Sequence, residues 1–322
     1  MTRLCALLLR TACVVLALMT PAVAQDYPTK SVRILVPFPP GGFNDIVARH
    51  IATQLSERLG KQFIVENKPG AGGAIAGELV ASAPKDGHTL LLVSIAIAMN
   101  PWMRPLPYDT IKDFAPISAL ATAPIVAVVN TDLPAKSMRE FVALARQKPG
   151  DLKYASAGVG TFMHVGAELF KLTAGIDLLH VPFRGAGPAM IDVMGGHSQA
   201  SFASVPSIVS HVRSGKLRAL GVGALKRSEI LPDLPTMIEG GVTGYQAANW
   251  IGLVAPLGTP APVVALLHKE ISAIQNSAEL RKRFAFEGVD VMQMSVAEFG
   301  AFMVSEHAKW GRVITDAKIK PE

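Results

Sequence analysis

Val36-Pro37-Phe38-Pro39-Pro40-Gly41-Gly42-Phe43-Asn44-Asp45 joins an apolar run, residues 31–36, to an amphipathic one that lasts until Leu59. It reads as a strand, a stiff turn and the start of a helix. Pro37, Pro39 and Pro40 fix φ and remove backbone donors on the strand side, whereas Gly41 and Gly42 let the chain turn sharply and leave the next N–H groups bare. Val47, Ile51, Leu55 and Leu59 recur at helical spacing, and Gly60 stops the helix. A helix N-terminus with free N–H groups and the positive end of its dipole is an anion site. The stretch therefore predicts a docking place for a carboxylate.

Outward from that turn, residues 27–100 repeat strand, glycine turn and helix. The strands fall at Val32–Val36, 62–65 and 89–95, with helices at Phe43–Leu59 and 73–82 between them. Such alternation predicts a parallel sheet covered on both faces, with ligands at the carboxyl ends of its strands. Residues 101–118 hold Pro101, Pro105, Pro107 and Pro116 and read as a loop. The apolar run 117–129 is long for one strand and suits a crossing between two domains. A second series follows: helix Met138–Gln147, strand 153–155, helix 161–173, strand 178–181, helix 188–194, strand 199–202, helix 206–214 and strand 218–222. Residues 246–254 return, and only helical patterns come after, at 262–275, 278–286 and 296–313. Two crossings around an inserted unit predict two α/β lobes joined by a hinge, 25–122 with 250–322 as the first lobe and 123–249 as the second.

The first 24 residues carry Arg3 and Arg10, an apolar stretch and Ala22-Val23-Ala24, the pattern of a Sec-type signal peptide cleaved after Ala24. Both cysteines, Cys5 and Cys13, lie inside it, so the exported chain has no disulfide, thiolate metal site or thiol nucleophile. Periplasm is the expected address. Of 31 Lys+Arg, two are in the leader, where no acid lies, leaving 29 against 25 Asp+Glu, a balance of +4. That is too mild and dispersed for a nucleic-acid binder. The eight histidines show no metal spacing, and neither a metal nor a cofactor is expected.

The whole exported chain resembles one family. Tyr27-Pro28-Thr29-Lys30, the 36–45 turn with Ala48-Arg49, Glu66-Asn67, residues 70–73, Ala81-Ser82-Ala83-Pro84-Lys85-Asp86-Gly87-His88-Thr89, and residues 155–164, 181–188, 214–220, 232–236 and 255–260 are similar to the tripartite tricarboxylate transporter substrate-binding proteins, the Bug family. The resemblance implies a type II periplasmic-binding-protein fold, two α/β lobes joined by a double-crossover hinge and closing on a small organic acid. It also implies delivery of that solute to integral-membrane transporter subunits, for which a monomer suffices. By position, the ligand carboxylate falls between the first loop, Phe38 to Asp45, and a second, Ser156-Ala157-Gly158-Val159-Gly160-Thr161 with His164 one turn on.

The residues carry separate expectations at this site. The amides of Gly41, Gly42, Gly158 and Gly160 are expected to be free for the ligand. Asn44 and Thr161 are either caps alone or caps that also meet the ligand, the two roles being compatible, and Asp45 either orients water or only complements the helix dipole. Phe38 is a cleft wall or core filler, His164 a packed histidine or a ligand contact, and Ser94 and Ser204 lie at strand ends. Arg184 replaces a Lys common in the family and is either a planar fork for a second carboxylate or a solvated rim charge. Ala203 stands where the family often has an acid, which favours a plain carboxylate over an amino acid. Two rival functions remain: a solute sensor addressing a membrane receptor, and a periplasmic enzyme. For the latter, Gly158-Val159-Gly160-Thr161-Phe162-Met163 is half a dinucleotide fingerprint with Met163 in place of the third glycine, and no G-x-S-x-G or H-E-x-x-H occurs.

Overall fold

The computed structural model describes residues 27–228 and 230–319, and the expected leader with its cleavage site lies outside them. The strands are β1 (Val32–Val36), β2 (Phe63–Asn67), β3 (Thr89–Ser94), β4 (Phe114–Asn130), β5 (Lys153–Ser156), β6 (Leu179–Pro182), β7 (Ala200–Ser204), β8 (Leu217–Val222), β9 (Ala248–Pro256) and β10 (Asp290–Val291). The helices are α1 (Phe43–Leu59), α2 (Ala74–Ala81), α3 (Ile95–Met103), α4 (Met138–Gln147), α5 (Phe162–Ala174), α6 (Ala186–Met194), α7 (Val205–Arg213), α8 (Ala261–Gln275), α9 (Ala278–Glu287) and α10 (Val296–Asp316).

One strand explains the architecture. β4 pairs antiparallel with β9 from Phe114 to Pro124, then with β7 and β8 from Ile125 to Asn130. Its first part belongs to a half-sheet in which β1 lies parallel to β2 and β3 and β3 lies antiparallel to β9. Its second part belongs to another, in which β5 lies parallel to β6 and β7. The apolar run read as a crossing is this strand, and the chain is a two-lobed α/β protein. Pro116 and Pro124, hostile to an ordinary central strand, fall beside a register shift and at the changeover of partners, where a missing donor costs least.

Three apolar clusters hold the halves. Val32, Ile34 and Val36 pack with Val47, Ile51 and Leu55 of α1 and with Leu267 and Ile271 of α8. Val126, Ala155, Met190 and Ile208 fill one face of the other half. The third cluster is continuous through both, running from Val93 and Met103 by way of Trp310 to Phe162, Phe170 and Phe202. Corrections are local. The 95–103 segment, read as strand end and loop, is helix α3 with Pro101 inside it. It holds because Ser94 caps it through Ala96 N–H and because Trp102 lies against Gly311 of α10 and donates to His307 O. β10, two residues long, has no sequence pattern to announce it.

Candidate ligand cleft

Loop 37–42 delivers the N-terminus of α1 to the carboxyl end of β1. Gly42 is its N-cap, with no side-chain cap, so the first-turn amides are left to another partner. Gly41, at φ +83°, makes the bend that only glycine tolerates well. Its amide, however, is not free as expected: Asp45 Oδ2 accepts it at 2.9 Å. The same carboxylate accepts Arg49 Nε at 2.9 Å and, through Oδ1, Asn67 Nδ2 at 2.9 Å. Asn67 also donates to Phe38 O at 2.9 Å, fastening the loop to the end of β2. Asp45 is thus a tether rather than a water-orienting group. Burial would raise its pKa, yet bonds from Arg49, Gly41 and Asn67 outweigh burial and hold it below the usual carboxylate range. Asn44, beside it, is buried, 7% exposed.

Loop 157–161 does the same for α5, whose N-cap Thr161 also lacks a side-chain cap bond. Here both glycine amides differ from expectation. Gly158 N–H donates to Ser156 Oγ at 3.1 Å, and Gly160 N–H donates to His164 Nδ1 at 3.1 Å. The Thr161 hydroxyl turns back to Gly158 O at 2.7 Å. The sequence missed these bonds because a positive φ, which both glycines have, leaves an amide able to turn back on its own chain, to the end of β5 for Gly158 and to α5 for Gly160. What the loop presents outward is the first turn of α5 itself.

Ser156 Oγ also lies 2.6 Å from His180 Nε2, a nucleophile-and-base spacing. Ser156 is fully buried and already accepts an amide, so the pair braces the loop instead of meeting a substrate. His164 stacks on His180 at 3.9 Å and 7°, and His180 on Tyr154 at 4.9 Å and 17°. Burial, reinforced by Lys171, lowers His164 to about 4, and burial with the neighbouring His164 lowers His180 to about 4. Both rings are therefore neutral near pH 7.

A physical path joins the loops. Pro37 packs against Gly73, Asn100 of α3 against Gly72, and Met103, one turn further, against Gly160. Ser94, buried at the N-cap of α3, lines a recess with Pro37, Gly73, Ala96, Ile97 and Asn100. Ser204 is buried at the end of β7 opposite Ile125, with no side-chain cap bond to α7. Phe38 is half-buried. Arg184 is exposed beyond β6. Ala203 is fully buried in an apolar cluster, so its identity answers first to packing. Sequence reading missed His180, Asn100 and Met103. His180 meets Tyr154 only through the β5–β6 register, and Met103 meets Gly160 only through tertiary packing, so neither leaves a local signal.

Two α/β halves sharing crossing strands define the type II periplasmic-binding-protein architecture. The profile of the tripartite tricarboxylate transporter family receptor, TctC, matches residues 47–319, and the chain belongs to that family. It is 34% identical to protein BugT of Bordetella pertussis, covering 93% of this chain and 94% of the relative. Among solved structures, Rpa4515 of R. palustris with adipate is 32% identical and superposes with a TM-score of 0.85, covering 92% of this chain and 100% of that one. MatC of Rhodopseudomonas palustris with bound malate gives 0.80 at 32% identity, over 89% of this chain and 100% of MatC.

Proposed function

We propose that the protein is a periplasmic solute receptor that closes on a small organic carboxylate and hands it to a tripartite tricarboxylate-type membrane transporter. The observation that carries this is the pair of uncapped helix N-termini, α1 and α5, one in each half and linked through Met103 and Gly160. Adipate and malate in two structural relatives support the ligand class. The same reading sets the lobe boundaries near 122 and 250, supported by the change of β4 partners after Pro124 and the start of β9 at Ala248.

The ligand's oxygens meet first-turn amides of α1 and α5, with Asn44 beside them. The glycines and Asp45 shape those turns. Hydrogen bonds to a charged group contribute ~1.5–3 kcal/mol each. A handful reaches the roughly 8 kcal/mol of a micromolar complex without an arginine. Arg184, on the rim, extends a fork to a second carboxylate. A thermal-shift screen against a few dozen organic acids tests the reading: a bound acid stabilises the fold by RT ln(1 + [L]/Kd), so the melting temperature rises with its concentration, and the acid is recovered unaltered. No shift with any organic acid, or recovery of a changed product, overturns it.

A further inference from the structure

The polar column under the second loop is more than packing. Both of that loop's glycine amides end on it, Gly160 through His164 Nδ1 and Gly158 through Ser156 Oγ, which lies 2.6 Å from His180 Nε2. The two imidazoles are face to face at 3.9 Å, on neighbouring elements α5 and β6, with Tyr154 of β5 as a third parallel ring. At that separation a charge on one ring strongly disfavours a charge on the other. A proton on His164 Nδ1 would moreover convert the acceptor of Gly160 N–H into a second donor facing it.

We propose that His164 and His180 act as a neutral imidazole pair that sets the shape of residues 157–161, which makes His164 a positioning residue for the ligand site and makes that site sensitive to acid. The inference rests on the functional reading above for its consequence, not for its geometry. The charged and titratable groups facing the pair are few. On α5 itself these are Glu168, which accepts from Tyr154 Oη at 2.6 Å, and Lys171, which donates to Glu168 at 3.0 Å and lies 3.3 Å from Asp177 beyond the helix end. β7 contributes only Phe202, edge-on to Tyr154, and α3 of the other half contributes Met103 against Gly160. Burial above all opposes protonation of both rings, His164 adds to this at His180 and Lys171 at both, while Glu168 favours it at His180, so the acid limb lies below the ordinary histidine range.

The test needs no ligand. In protein labelled with ¹⁵N, the imidazole nitrogens report the tautomer of His164, and the exchange rate of Gly160 N–H reports its bond. The wild type is expected to keep His164 Nδ1 unprotonated from pH 8 down to about 5. Its Gly160 amide is then expected to lose protection on further acidification. His164→Asn supplies an oxygen acceptor that does not titrate, so Gly160 stays protected and the acid transition at that amide disappears. His164→Ala exposes Gly160, with exchange roughly tenfold faster at neutral pH. A protonated Nδ1 at pH 7, the same Gly160 exchange in His164→Ala as in the wild type, or an acid transition that persists in His164→Asn each overturns the proposal. Calorimetry of the same wild-type sample with adipate reads the solute-receptor function separately: absence of heat there counts against that function, while the nitrogen shifts and the amide exchange still decide the imidazole pair.

Discussion

Asp45 ties together three donors, the Gly41 amide, the Arg49 guanidinium and the Asn67 amide, and Arg49 Nη2 also donates to Asn67 Oδ1 at 3.1 Å. Asp45→Ala leaves these donors facing a void at a buried position, and stability is expected to fall by about 1–3 kcal/mol at pH 7, read from urea denaturation. Since its folded pKa is lowered, the carboxylate's contribution is present above the ordinary carboxylate range and lost as pH falls through the folded value. The gap between wild type and variant should therefore close in acid, and an unchanged midpoint at pH 7 contradicts the tether. Gly42 offers the complementary case. A Cβ there meets only Pro39 O, at 3.9 Å, and its φ of −84° suits any residue. Gly42→Val should leave stability unchanged while covering the uncapped turn and removing carboxylate binding; intact affinity would place the ligand elsewhere. Of this site, the two turns and the helix starts were legible, because proline, glycine and apolar spacing are local signals. The direction of the glycine amides was not, since it depends on a side chain that returns to them from the helix four residues later.

At the scale of elements, α4 matches its sequence reading residue for residue because Ser137 and Glu140 mark its start and its apolar spacing is regular. α3 was hidden by Pro101, and only its packing on α10 decides the matter. The neutral histidines of α5 and β6, His164 and His180, make a linkage prediction. Each is lowered from 6.5 to about 4, so the folded state binds fewer protons than the unfolded one between those values. Stability from the pair is fully present above about pH 6.5 and is lost as pH falls toward about 4. Urea midpoints taken across that interval should drop less in His164→Asn than in the wild type; parallel curves would contradict it. On α10, Glu306 accepts Trp250 Nε1 at 2.9 Å and Trp310 Nε1 at 2.7 Å, joining the helix to crossing strand β9. Glu306→Ala strands two buried indole donors and is expected to cost about 2–4 kcal/mol, with an altered tryptophan emission in the native state. A loss within measurement error would mean the indoles find other acceptors.

For the whole molecule, the decisive feature is that the halves share β4 and a continuous apolar cluster. Phe162, first residue of α5, meets the Trp310 ring edge-on at 6.2 Å, and Gly160 meets Met103. The double crossing was legible because the apolar run 117–129 is long for one strand; the strand itself runs further, from Phe114 to Asn130, and takes in residues whose prolines read as loop. The contacts that bring the halves together were not, since they join residues far apart in the chain. Solute capture by this molecule stands or falls with a carboxylate seated at the uncapped turns of α1 and α5. Titration calorimetry of the wild type and Gly42→Val, against adipate, malate and the acids that raise the melting temperature, addresses that seat without an intermediate step. Saturable binding of one acid per chain is expected in the wild type and none in the variant at equal stability; equal affinity in both, or no binding of any acid to the wild type, would contradict it.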